Sequence, residues 1–107
     1  MHWLWTWGGL SFGYRDGDNL WTYDGEHVGR FEGDVVYDRA GRYLGEVRRG
    51  NRLIVDRARK TMTSGSMPFE PAPPRASQAR HVNSRPIAML LGYEDFPTRE
   101  RLGANSG

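Results

Sequence analysis

Apolar and polar residues alternate in short runs over the first sixty positions, and no run is long enough to turn through a helix. Leu4-Trp5-Thr6-Trp7, Leu20-Trp21-Thr22-Tyr23, Val35-Val36-Tyr37 and Leu53-Ile54-Val55 are rich in aromatic and β-branched residues, which suit a half-buried pleated surface. Between the runs stand Gly17-Asp18, Asp24-Gly25, Gly33-Asp34 and Gly50-Asn51. Gly, Asn and Asp tolerate the positive φ of tight turns, so these dipeptides predict hairpins. The pattern is a meander of about eight short strands, with turn signals at the close spacing of an all-β domain.

The runs are copies of one another. Leu4 to Gly13 matches Leu20 to Gly29 without a gap at a spacing of sixteen, and Gly25, Val28 and Gly29 map by sixteen onto Gly41, Leu44 and Gly45. The third unit begins at Val35, which makes its turn two residues longer, and Leu53 to Arg59 forms a partial fourth unit. Period-two alternation places Trp5 and Trp7, Trp21 and Tyr23, Val35 and Tyr37, and Leu53 and Val55 on one side, expected to be the core. The other side bears Leu4, Leu20, Val36 and Ile54. A wet face does not repeat an aliphatic residue in each unit, so this column is expected to be covered by another subunit, the far side of a closed ring, or the tail. Gly13, Gly29 and Gly45 recur at one place in the second strand, where Gly marks a bend or a close backbone approach and suggests units converging on an axis.

Composition then divides the chain. All six prolines fall at or after Pro68, and ten of the fourteen glycines at or before Gly50. Residues 1–60 read as the repeat domain, residues 61–86 as an extended, partly polyproline-like linker, and residues 87–107 as an apolar arm and tail. Ile87 to Phe96 is too apolar for a free tail and is expected to pack on the repeat domain or a neighbour through Leu90, Tyr93 and Phe96. Gly103 to Gly107 is expected to be disordered.

At 107 residues the chain is one domain at most. It has no cysteine, so disulfides and thiolate metal sites are ruled out. The first nine residues carry no Lys or Arg and their apolar run is too short for a signal h-region, no stretch approaches a membrane span in length, and a cytoplasmic protein is expected. The net charge of +2 arises from Arg and acidic residues interleaved along the chain, with Lys60 the only lysine.

The openings Trp-Leu-Trp-Thr-Trp-Gly-Gly at Trp3, Leu-Trp-Thr-Tyr-Asp-Gly-Glu-His-Val-Gly-Arg-Phe at Leu20 and Arg-Tyr-Leu-Gly-Glu-Val at Arg42 resemble the bacterial family of four-fold β flower proteins. The resemblance covers residues 1–60 and extends to Gly-Tyr-Glu-Asp-Phe at 92–96. It implies four β-hairpin petals about a pseudo-four-fold axis and transfers no activity and no site residues. The fourth unit departs by lacking the Asp-Gly turn and the Val-Gly pair, which makes it either a closing petal or a sign that the symmetry is only approximate. Asp38 to Val47 also resembles a phrase of the PRC-barrel interaction domains, against which the sixteen-residue repeat argues.

No catalytic constellation stands out. His2, His27 and His81 are not at ligand spacing, and Ser11, Ser64 and Ser66 have no recognisable base. Asp16-Gly17-Asp18-Asn19 lacks an acid at the fifth position, Leu20, as a calcium loop would need. Catalytic residues, metal ligands and cofactors are therefore not expected. The expectation is a non-catalytic binding or self-assembly module, a homo-oligomer or a partner of another protein. Its assembly surface would be Leu4, Leu20, Val36 and Ile54 with Leu90, Tyr93 and Phe96. The alternative is a single-stranded nucleic-acid binder stacking bases on exposed Trp beside Arg. Binding candidates are Trp3, His27, Arg30, Arg42, Arg48, Arg49 and Arg52. Among these, His27 stands where the first unit has Ser11 and the third has Tyr43.

Overall fold

A computed structural model describes residues 1–60 and 65–105, with side chains as far as residue 102. The turn dipeptides do reverse the chain. Strands β1 (His2–Thr6), β2 (Ser11–Asp16), β3 (Asn19–Thr22), β4 (His27–Glu32), β5 (Val35–Tyr37), β6 (Tyr43–Arg48) and β7 (Arg52–Asp56) pair successively and antiparallel. β1 then pairs in parallel with β7, Trp5 against Arg52 and Thr6 against Leu53. That seam closes seven strands into a barrel and leaves no open edge along it. A four-residue helix, α1 (Arg57–Lys60), follows β7. After a long excursion β8 (Tyr93–Asp95) returns to pair antiparallel with β7, and α2 (Arg99–Asn105) ends the described chain. β7 and β8 thus stand where a fourth hairpin would, split by the excursion. α2 runs into the stretch expected to be disordered; residues 106 and 107 lie outside the described residues.

The turn chemistry repeats strictly by sixteen. Thr6 Oγ1 accepts from Leu10 N–H, Thr22 Oγ1 from Glu26 N–H, and Asp38 Oδ1 from Arg42 N–H. Gly9, Gly25 and Gly41 then donate back to Thr6, Thr22 and Asp38 carbonyls. The third unit therefore begins at Val36, not Val35, and its turn is no longer than the others. Each second strand has a bulge: Leu4 faces Gly13 and Trp5 faces Ser11, with Phe12 extra, and Val28 and Leu44 stand likewise in β4 and β6. Gly13, Gly29 and Gly45 are needed because the next strand comes so close. A Cβ on Gly29 would lie 2.6 Å from Tyr37 O, and one on Gly45 would lie 2.8 Å from Ile54 O.

In the first three units the two faces are the reverse of the sequence expectation, whereas in β7 Leu53 and Val55 face the core as expected. Leu4, Leu20 and Val36 are the interior of the barrel, packed with Phe12, Phe31, Leu53, Val55 and Phe96, so the aliphatic column is the core and not an assembly surface. In β7 the interior pair is Leu53 and Val55; Ile54, fully buried, is not in that cluster. Trp5, Trp7 and Trp21 belong to the outer wall, where Trp7 and Trp21 are nevertheless 1% and 2% exposed.

What buries that wall is the segment expected to be a linker. From Ser66 onward the chain wraps the barrel as a strap, passing the units in reverse order. Ser66, Arg75 and Ser84 N–H donate to the carbonyls of Gly41, Gly25 and Gly9, and Phe69, Gln78 and Ile87 N–H to those of Arg39, Tyr23 and Trp7. The strap advances nine residues for every sixteen of the barrel. With Ala72 N–H bound to His27 Nδ1, the contacts fall at 66, 69, 72, 75, 78, 84 and 87, steps of three with position 81 passed over, the period of a polyproline II helix. The prolines at 68, 71, 73, 74 and 86 all avoid those positions, where an N–H is required. Residues 66–86 are thus not a separate linker, and the following arm packs on its own barrel. Residues 61–64 lie outside the described residues.

Candidate functional site

The turns Gly17-Asp18, Gly33-Asp34 and Arg49-Gly50-Asn51 are left uncovered by the strap: a Cβ on Gly17, Gly33 or Gly50 would meet nothing within 4 Å. Gly17 and Gly33 both have φ of 61°, and the residue sixteen further on is Arg49, with φ of 55°. Arg49 is the only non-glycine at positive φ among the described residues. The turn there is one residue longer, since Arg48 pairs with Arg52 whereas Asp16 pairs with Asn19 and Glu32 with Val35; a left-handed backbone costs an ordinary L-residue roughly 1–2 kcal/mol that Gly avoids, so this longer turn opens on a strained cation. The Arg49 guanidinium lies 5.7 Å from the centre of the Trp7 ring. Together with Asp34, Val47, Arg48, Gly50 and Leu90 these two residues line an open cleft of about 500 Å³ beside the β1–β7 seam.

The remaining groups near the cleft are committed to structure. Arg48 donates to Glu46 Oε2 at 3.2 Å and to Tyr93 Oη at 2.7 Å. Glu46 also accepts from Tyr43 Oη, which in turn accepts from Asp56 N–H. Burial first, then the neighbouring carboxylate, pushes the Tyr43 phenol far above its usual range. Arg52 is 7% exposed and donates to Thr6 O, Trp7 O and Ser84 Oγ, tying β7 to β1 and to the strap. Arg52 is a binding candidate by sequence, but in the structure it is a bolt through the seam.

The other binding candidates are dispersed. Trp3 lies beneath the His81 ring at 3.8 Å, with Tyr14 beside it. His27 stacks on Trp21, faces Asn19 Oδ1 and Gly29 O through Nε2, and accepts Ala72 N–H at Nδ1. Burial lowers its pKa, and the ring is saturated in its neutral form. The Arg30 guanidinium covers the Phe69 ring at 4.5 Å, and Arg42, largely exposed, pairs with Asp38 at 3.4 Å. Neither reaches the cleft. Leu90 lines it, Tyr93 supports Arg48, and Phe96 is 2% exposed in the barrel core with its ring edge-on to Phe12. No group of three or more His, Asp or Glu suited to a metal ion occurs among the described residues.

Three residues missed as a set were Trp7, Arg49 and Leu90, one from each of three distant segments. The signal for Arg49 was present in the spacing: Gly17, Gly33, Arg49 breaks the series of glycines. Nothing local announces Leu90.

The structure defines a class before any comparison: a closed barrel of sixteen-residue hairpin units, nearly all β. The family model for 4-fold beta flower proteins matches residues 1–93, and the chain belongs to that family. No curated protein and no solved structure matches it. No helix among the described residues is long and apolar enough to cross a membrane.

Proposed function

We propose that this chain is a non-catalytic binding module, and that its ligand is a peptide segment presenting a carboxylate next to an aliphatic side chain. The observation behind this reading is Arg49, a cation kept at a left-handed backbone position and held over Trp7 at the mouth of the cleft. Strained backbone at a cleft is a pointer toward function. Val47, Leu90 and Trp7 supply the apolar walls, and the Arg49 fork suits a carboxylate. Asp34 on the same wall turns away a polyphosphate, and Trp3 and Trp21, which could have stacked bases, are covered by His81 and Arg75. That disfavours the single-stranded nucleic-acid reading. Self-association loses its earlier motive, since the aliphatic column is interior and the arm lies on its own barrel.

The test is a nuclear magnetic resonance titration with capped Leu-Leu-Asp, capped Leu-Leu-Asn and a thymidine oligonucleotide at low salt. The reading expects shifts at Val47 to Asn51 and at Leu90 with the acidic peptide alone. No shifts with it at millimolar concentration would sink the proposal, and shifts with the oligonucleotide at the same residues would replace it.

A further inference from the structure

A second surface, which adjoins the cleft and shares Trp7 and Leu90 with it, supports a further binding function. The strap is held by backbone N–H groups at three-residue steps, 81 excepted, while most of its side chains from Met67 to Leu91 remain exposed. Its carbonyls are gripped by indole donors: Trp5 Nε1 donates to Val82 O at 2.9 Å and Trp7 Nε1 to Ala88 O at 3.0 Å. Aromatic rings line the path, with Trp3 under His81 and Trp21 under Arg75, while Tyr23 lies under Arg80. Aromatic walls bearing N–H donors, facing a three-residue repeat, are how polyproline helices are gripped. Such a grip reads the shape of the backbone and the places where proline is forbidden, and little else of the sequence. The glycines at 9, 25 and 41 make room for it, since a Cβ on any of them would collide with the strap carbonyl of Ser84, Arg75 or Ser66.

We infer that the outer wall of the barrel is a reader of polyproline-type helices, occupied in cis by the strap, and that a proline-rich segment of another protein replaces the strap there. The partner is an extended chain with proline at up to two of every three positions and an N–H at the third. Binding in trans is weakened by the fraction of molecules whose strap is seated, so the cis contact works as an autoinhibitory one.

The test uses the full chain and two fluorescent peptides, one repeating Pro-Pro-Ala and one of proline alone, which lacks every N–H. They are titrated against the native chain and against the variant Gln78→Pro, which removes one strap donor. The expected result is binding of the Pro-Pro-Ala peptide, about ten-fold tighter to the variant, with none of the all-proline peptide. If Gln78→Pro does not fold, Ala72→Pro, which removes the donor to His27, takes its place. Equal binding of both peptides, or no binding of Pro-Pro-Ala to a folded strap variant, overturns the inference.

Discussion

Gly45 offers a direct check on how closely the Phe96 ring packs against β6. Its Cα faces the Phe96 ring so closely that a Cβ would lie 2.7 Å from Cδ1 and 2.8 Å from Ile54 O. The ring cannot retreat freely, because it is 2% exposed and abuts Phe12 at 5.2 Å between centroids. Forcing one methyl into such a core costs about 1–3 kcal/mol. Replacing Gly by Ala in a strand returns roughly 0.5–1 kcal/mol of backbone entropy. Gly45→Ala should therefore destabilise by about 1–2 kcal/mol, a fall in Tm of roughly 4–8 °C per kcal/mol at this size. If the cost is the clash with Phe96, a smaller residue there relieves it. In the cycle of Gly45→Ala, Phe96→Leu and the double variant, followed by far-ultraviolet circular dichroism in heat and urea, the coupling should be about 1 kcal/mol in the compensating sense. Gly17→Ala is the control: with φ of 61° and open space around it, it suffers backbone strain alone, which Phe96→Leu cannot rescue. Additivity of Gly45→Ala and Phe96→Leu within about 0.3 kcal/mol would refute the Phe96 ring as the source of the cost and leave it with the Ile54 carbonyl.

Three further outcomes follow from named contacts. Burial lowers the His27 pKa below its usual 6.5, so the unfolded chain binds its proton more readily; the His27 contribution is complete above pH about 6.5 and declines as pH falls toward the folded pKa. Protection of the Ala72 amide, relative to its intrinsic exchange rate at each pH, should fall over that window, and a His27→Gln chain should show a flatter dependence of stability on pH. Arg49→Gly should leave stability unchanged or raise it by up to about 1 kcal/mol, since relief of left-handed strain outweighs a weak exposed cation–π contact, while abolishing the shifts caused by capped Leu-Leu-Asp; a clear loss of Tm would contradict the register Gly17, Gly33, Arg49. Arg52→Met should cost about 1–3 kcal/mol through the stranded Thr6 and Trp7 carbonyls, and hydrogen exchange should speed up both at the β1–β7 seam and at Ser84, where a protection loss confined to β7 would count against the bolt.

Much of the architecture is legible from residue spacing. The sixteen-residue series Thr6, Thr22, Asp38 and Gly9, Gly25, Gly41 encodes a turn in which a side-chain oxygen closes on the N–H four residues later, and the structure makes that bond in all three. The close approach at Gly13, Gly29 and Gly45 is equally direct. The split fourth unit was readable in part: the missing Asp-Gly turn said that it differs, but only the fold brings Tyr93 to Asp95 beside Val55. The strap shows a different limit. Its prolines suggest an extended chain, yet the decisive signal is where proline is absent, and that has meaning only once the donors at 66, 69, 72, 75, 78, 84 and 87 have acceptors. The cleft is the least legible part, because Trp7, Arg49 and Leu90 meet through closure of the barrel and wrapping of the strap, neither of which is local.

The misread faces have a physical cause that also explains why the strap exists. Period-two counting separates the two sides of β1, β3 and β5 correctly; what fails is the choice of which side is the interior. The rule that the largest apolar residues lie innermost then fails on size. A barrel of seven short strands encloses little more than its own side chains, and the column Leu4, Leu20, Val36, with Phe12 and Phe31 beside it, already fills it. The tryptophans must go outside, and an outer wall bearing Trp3, Trp5, Trp7 and Trp21 needs a cover. A second sheet would have to satisfy a full ladder of backbone groups, whereas an extended chain touching at steps of three residues leaves its other N–H and C=O groups in water. Proline at the untouched positions lowers the entropy lost when that chain is laid down. The narrow interior, the external tryptophans and the proline-bearing strap are thus one consequence of building a closed barrel from units of sixteen residues.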